Sequence, residues 1–347
     1  MSVPVIAFFN NKGGVGKTSL VYHLAWMYAD FGLRVVAADL DPQANLTAAF
    51  LDEERLEVLW PDDNHPQTVY GSISPLLKGT GDIATPHIEY VDNQQPSLFG
   101  SPIALLVGDL SLSRFEDQLS DMWPRCLDKD ERAFRVISAF WRIMQEAATL
   151  QRADIILMDL GPNLGAINRA ALIAADHVVI PLSPDLFSLQ GLRNLGPTLR
   201  NWRREWEKRL KEWEDLQRQE QIQLALPPGS IQPIGYVVLQ HAVRLDRPVR
   251  AYDRWIEQIP LEYQKAVQGK SATNNVAVRD DPNHLALLKH YRSLMPLAQE
   301  ARKPMFHLKP ADGAIGSHMQ AVQGVYRDFR HLAESIAQRI SLVFPKL

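Results

Sequence analysis

The chain has 347 residues, of which 46% are hydrophobic and 22% charged, with a formal net charge of −3 and an isoelectric point near 6.4. This composition supplies a large core and excludes general disorder, and a slightly acidic chain can contact nucleic acid only through a local patch. No apolar run of about 18 residues marks a membrane span. The start Met1-Ser2-Val3-Pro4 lacks the basic leader and cleavage site of a signal peptide. One cysteine, Cys126, excludes an internal disulfide and a cluster bridged by paired cysteines. A cytoplasmic protein is the expectation.

The apolar stretch Val3 to Phe9 reads as a buried strand, and Ser19 to Phe31 reads as a helix. Between them lies Asn10-Asn11-Lys12-Gly13-Gly14-Val15-Gly16-Lys17-Thr18. A strand, a glycine-rich turn and a helix start are the parts of a phosphate-binding loop. Its backbone N–H groups cradle anionic oxygens. Lys17 is placed to reach the β- and γ-phosphates of a nucleotide, and the Thr18 hydroxyl to ligate Mg²⁺. Asn11 stands where the first glycine of the general motif belongs, and a second lysine, Lys12, opens the loop. This variant resembles the deviant Walker A motif of the ParA/MinD family of ATPases. The resemblance implies ATP and Mg²⁺ as ligands, held by Lys12, Gly13, Gly14, Val15, Gly16, Lys17, Thr18 and Ser19. It also implies that Lys12 crosses a dimer interface to the nucleotide of a second subunit.

Gly32 is placed as a helix C-cap. Arg34 to Ala38 is β-like and ends in Asp39-Leu40-Asp41-Pro42-Gln43, completing a βαβ spacing. The D-x-D-P-Q sequence is similar to ParA proteins, in which the residue matching Asp41 orients the hydrolytic water; capping of the next helix is the alternative for both aspartates. Residues 51–66 are acidic and read as a solvated excursion. Thr68 to Leu77 suggests a short helix, 78–101 an irregular connection, and Ile103 to Val107 a strand leading into Gly108-Asp109-Leu110-Ser111-Leu112-Ser113, with Glu116 beyond.

Ile155 to Met158 followed by Asp159 has the form of a Walker B strand with its acid at the C-terminal edge. Asp159 is the expected second anchor for Mg²⁺, through a water. Leu160-Gly161-Pro162-Asn163-Leu164-Gly165 resembles the family's switch, with Gly161 in place of its first proline. His177 to Pro181 reads as a strand, Pro184 to Leu195 as a helix, and Ile234 to Leu239 as a further strand. Family likeness makes Gln240 a candidate adenine contact; a local turn residue is the alternative. No Cys/His metal motif and no G-x-S-x-G elbow is present.

Leu199, Trp202, Trp206, Leu210 and Trp213 recur at helical spacing, flanked by interleaved arginines, lysines and glutamates. They read as a salt-bridged helix whose tryptophans pack on the sheet, or else as an arm that docks a partner or DNA phosphates. Arg244, Arg247, Arg250 and Arg254 are less neutralised and form the candidate DNA patch, with ordinary surface charge as the alternative. Lys303-Pro304-Met305-Phe306 looks like the family's closing turn, and a last helix runs from about Gly316 to Ile340. The tail Ile340 to Leu347 is too short and too poor in lysine for a membrane-cycling helix.

Together these features predict an α/β fold, a doubly wound and mostly parallel sheet flanked by helices, as one enlarged domain over residues 1–347. Relative to a minimal ParA protein, the inserts fall at about 51–66, 78–101, 200–230 and 262–300. The resemblance implies a weak, partner-stimulated ATPase that dimerises on ATP, binds DNA without sequence preference and associates with the nucleoid. A ParB-like or cargo-adaptor protein would stimulate it, and no stable membrane insertion is implied. An ATP-gated regulator or assembly factor acting through a protein partner, without DNA, is the alternative, and a MinD-like membrane-cycling ATPase, disfavoured by the tail, is the third.

Overall fold

Strands β1 (Val5–Phe8), β2 (Val35–Asp39), β3 (Glu89–Val91), β4 (Ile103–Leu106), β5 (Ile155–Asp159), β6 (His177–Leu182), β7 (Gln232–Leu239) and β8 (His284–Leu288) form one sheet in the order β3-β4-β2-β5-β1-β6-β7-β8. The computed structural model describes residues 2–61, 65–91, 102–239, 254–271, 276–289, 291 and 293–345. Only β3 runs antiparallel to its neighbour; the other pairings are parallel. β1, β2, β4 and β5 are buried along their whole length, because helices cover both faces of a parallel sheet and leave no solvated side.

One face carries α1 (Lys17–Asp30), α2 (Asn45–Phe50) and the C-terminal helix Ser317–Arg339. α3 (Glu53–Leu59) adds Leu59 to the same core. The other face carries α4 (Val69–Lys78), α5 (Phe115–Arg125), α6 (Glu131–Ile137), α7 (Ala139–Gln151), α8 (Ala166–Ile173) and α9 (Leu186–Glu220). Gly32, at φ +82° just past α1, closes that helix as its sequence position suggested.

Four segments carry structure that the sequence reading did not describe. Among the described residues of 51–66, Asp52, Glu53, Glu54 and Glu57 are exposed, but the segment is tied to the core: Leu51 and Leu59 are buried, and the Trp60 indole donates to the Gly108 carbonyl at 3.0 Å. Arg55 ties α3 to β3 by two bonds to the Glu89 carboxylate, at 2.9 and 2.7 Å. The span 78–101 thus contains an edge strand, too short for hydrophobic alternation to register. The span 262–300 carries β8 and the helix Met295–Ala301. Finally, the helix entered at Pro184 and the tryptophan helix are one, because Pro197 does not break the 35-residue α9. Trp206 is fully buried, stacked at 5.9 Å on Trp123 of α5 with 16° between the rings. Its indole donates to the Pro227 carbonyl at 3.0 Å. Trp213 is buried and Trp202 half-buried, so the tryptophan stripe is core.

Candidate nucleotide-binding site

The C-terminal ends of β1, β5 and β2, which are neighbours in the sheet, bring the predicted residues together, in the crevice where open α/β sheets bind ligands. Residues 10–16 turn from β1 into α1. Gly14 and Gly16 take φ of +70° and +74°, a conformation that costs other residues about 1–2 kcal/mol. A Cβ at Gly16 would also fall 2.7 Å from Leu239 Cδ1. Gly16 supplies no side-chain cap to α1, so the first amides of that helix face the loop, an arrangement suited to anions. Val15 is buried and anchors the turn.

Lys17 is 7% exposed, and its Nζ lies 3.4 and 3.5 Å from the carbonyls of Asn10 and Lys12. Burial pushes its pKa down, against the pull of Asp159 and Asp41. Asp159 is fully buried at the end of β5. Its Oδ1 accepts the Leu160 N–H at 3.1 Å, while Oδ2 has no hydrogen-bond partner. Burial foremost, and Asp39 next, raise the Asp159 pKa; the Thr18 hydroxyl faces the carboxylate and opposes the rise. Thr18 stands close enough to favour the charged carboxylate although no bond to Oδ2 meets hydrogen-bond geometry. An orphaned carboxylate oxygen beside a hydroxyl is a hard-oxygen donor set that fits Mg²⁺.

Asp39 and Asp41 divide their work. Asp39 Oδ2 accepts both the amide and the hydroxyl of Thr47 at 2.8 Å, which makes it the local tie that holds α2. Asp41 is 7% exposed, and its Oδ1 accepts the Gln43 N–H at 3.0 Å. A Cβ at Gly161 would lie 3.1 Å from that same Oδ1, so the glycine replacing proline lets the turn after β5 close on Asp41. Glu116 accepts the N–H groups of Ala166 and, at 2.9 Å, Ile167. Its charge therefore sits at the start of α8, where the macrodipole favours it.

Lys12 does not enter the loop. Its Nζ forms an ion pair and hydrogen bond with Asp185 Oδ2. Two cavities flank Ser19 and Met295. An apolar cleft of about 170 Å³ lies at the ends of β7 and β8, lined by Gly16, Leu20, Leu239, Leu288 and Tyr291 among others. A cavity of about 480 Å³ lies on the other side of α1, against α2, Gln299 and Arg302.

Sequence reasoning did not single out Asp185, Leu288, Tyr291 or Met295. Only Asp185 had a signal, a Ser-Pro-Asp start before a helix. Gln240, Arg244, Arg247 and Arg250 lie outside the described residues. Arg254 is exposed, its guanidinium 5.2 Å from the Trp255 ring. No group of three or more His, Cys, Asp or Glu poised for a metal occurs among the described residues, and none of their helices is long and apolar enough to cross a membrane.

A family model described as an AAA domain matches residues 3–212. Protein IncC of Escherichia coli is 28% identical over 194 residues, covering 56% of this chain and 45% of that protein. The sporulation initiation inhibitor protein Soj of Bacillus subtilis is 29% identical over 196 residues, covering 56% and 64%. The chain thus spans about half to two thirds of the length of these relatives. Among solved structures, a Corynebacterium diphtheriae protein superposes with a TM-score of 0.69 at 24% identity, covering 97% of this chain and 98% of that one. The ATP complex of a McdA variant from Cyanothece gives 0.57 at 14% identity, covering 100% and 99%. Both share the fold.

Proposed function

We propose that this chain, which belongs to the AAA-domain family and is a P-loop ATPase of the ParA/MinD type, binds ATP with Mg²⁺, dimerises on it and hydrolyses it slowly. The observation that carries the reading is the division between the two loop lysines: Lys17 is turned into the phosphate cradle and Lys12 out of it. Lys17 and the amides of residues 13–19 hold the phosphates. Thr18 and Asp159 hold Mg²⁺, whose charge offsets that of the phosphate oxygens when bound. Asp41, pressed against Gly161, orients the attacking water. Lys12 reaches the nucleotide of a second copy. The apolar cleft at Leu239 and Leu288 takes the base.

In the ParA-type reading the ATP dimer associates with DNA irrespective of sequence, and a ParB-like or cargo-bound partner stimulates hydrolysis and releases it. Cytoplasmic residence with nucleoid association follows from that cycle. α9 is the weaker candidate for a DNA-binding arm, although its Arg204, Lys208 and Lys211 are exposed. Its Trp206, Arg209 and Trp213 are buried, and Arg203 and Arg218 pair with acids of the same helix. This favours Arg244, Arg247, Arg250 and Arg254 for phosphate contact, and it keeps a DNA-independent regulator as the second reading.

The test is binding of Asp41→Ala protein to random-sequence duplex DNA with ATP and with ADP, across a salt series. Binding that requires ATP and weakens steeply with salt is the expected result. A confirmed ATP dimer that ignores DNA at low salt would remove the partition reading and leave the regulator.

A further inference from the structure

We propose that Asp185 is a positioning residue for Lys12: it holds the ammonium on its own subunit until assembly, when Lys12 exchanges this carboxylate for phosphate oxygens of the second copy's nucleotide. The inference rests on the reading of Lys12 as a residue that acts across a dimer interface.

The carboxylate is fixed independently of the lysine. Asp185 caps α9, its Oδ1 accepting the Ser188 N–H at 2.9 Å, and the Ser188 hydroxyl in turn accepts the Ser183 N–H at 3.0 Å. That leaves Oδ2 for Lys12 Nζ. The front of the loop is held on the same corner of the fold. Asn10 Nδ2 donates to the Pro181 carbonyl at 2.7 Å, and Asn10 Oδ1 accepts the Lys12 N–H at 3.0 Å. Gly191 of α9 lies so near that a Cβ there would be 2.8 Å from Asn11 Oδ1. Lys12 is therefore drawn sideways onto α9.

The pair is also in the right place to be broken. The side chains of Lys12 and Asp185 are 26% and 35% exposed. The next two residues, Leu186 and Phe187, present apolar surface to water, with Phe187 68% exposed. A second copy docking over Phe187 strips water from both charges. A triphosphate offers more negative charge and more acceptors than one carboxylate, so the exchange favours phosphate only when a nucleotide is present. A half-exposed ion pair is a weak latch that shifts an equilibrium by roughly two- to fivefold. It delays assembly without preventing it.

The test measures the dimer dissociation constant by sedimentation at saturating AMPPNP for wild type, Asp185→Asn, Lys12→Ala and the double variant. The asparagine keeps a cap acceptor for Ser188 and removes the charge. Because two such pairs break per dimer, Asp185→Asn should dimerise roughly four- to twenty-five-fold more tightly, with the gap closing as salt rises, and Lys12→Ala should fail to dimerise in either background. In nucleotide-free protein, acetylation of the Lys12 amine should rise in Asp185→Asn, a readout that loss of a helix cap would not move. Unchanged or weaker dimerisation of Asp185→Asn, or unchanged Lys12 acetylation, overturns the latch while leaving Lys12 its role. Normal dimerisation of Lys12→Ala overturns that role itself. Should Asp185→Asn fold poorly, Asp185→Ser, which also caps, replaces it in both measurements.

Discussion

Acidification should weaken the fold through His23 by a predictable amount. The imidazole is buried between α1 and the C-terminal helix, 3% exposed and stacked on Phe329 at 4.8 Å. Nδ1 lies 2.7 Å from the Ser19 carbonyl, and Nε2 accepts the Met305 N–H at 3.2 Å. These partners demand a proton on Nδ1 and none on Nε2, so protonation sets two donors against each other. Burial foremost lowers the pKa to about 4, and His307 adds to the fall while the Ser19 carbonyl opposes it. A depressed folded value means that the unfolded chain takes up the proton first. Stability is then complete above about pH 6.5 and lost as pH falls towards 4. At 1.36 kcal/mol per unit the loss is about 2 kcal/mol at pH 5 and about 3 kcal/mol at pH 4. Because His177, His284 and the buried aspartates also titrate, the assay is a difference. Urea unfolding of wild type and His23→Gln at pH 8, 6, 5 and 4 should show a gap in unfolding free energy that shrinks by those amounts. Parallel pH profiles for the two proteins would refute the reasoning.

Lys17→Ala should weaken ATP binding by about 2–5 kcal/mol, the cost of removing a buried charged donor, with a melting temperature near that of wild type; calorimetric titration checks both. Trp206→Ala should destabilise by about 3–5 kcal/mol, read in denaturant, because it empties the stack on Trp123 and orphans the Pro227 carbonyl. Glu116→Gln should cost about 1 kcal/mol through the start of α8 and lower ATP turnover more than ATP affinity, since α8 follows the turn that faces Asp41. Ala48→Trp should leave ATP affinity unchanged, because it fills only the larger cavity, whereas Leu239→Trp should abolish binding by filling the apolar cleft; the reverse pattern would move the base to the other side of α1.

The half of the candidate site around the loop was legible because its determinants are local. The loop from Asn10 to Thr18 carries its own turn glycines, Asp159 ends a short apolar strand, and Asp41 lies two residues beyond another. A parallel sheet then places those strand ends side by side without further information. The βαβ spacing likewise implied the sheet, and every strand expected from an apolar run is present. β3 escaped because an edge strand needs only a partner, and Glu89-Tyr90-Val91 gives no continuous hydrophobic signal; β8 does carry the apolar run Leu285 to Leu288, but it is short and lies inside a region read only as an insert. α3 escaped for a related reason. Its Glu53, Glu54 and Glu57 advertise solvent, while the residues that hold it, Leu59 and Trp60, meet their partners across the fold.

Distance along the chain also explains what was missed at the site. The apolar cleft proposed for the base is assembled from Gly16, Leu239, Leu288 and Tyr291, four positions spread over most of the sequence, and nothing near any one of them requires the others. Asp185 is separated by 173 positions from Lys12, so its sequence announces a helix cap and no more. Its second role appears only because β6 lies directly beside β1 in the sheet. That adjacency delivers the start of α9 to the front of the loop, where one carboxylate can accept from Ser188 and Lys12 at once. The same helix continues to Trp206 and Trp213, which lock it into the core. The carboxylate that meets Lys12 is thus mounted on the longest rigid element of the fold, and a lysine on a glycine-rich loop is the partner free to move.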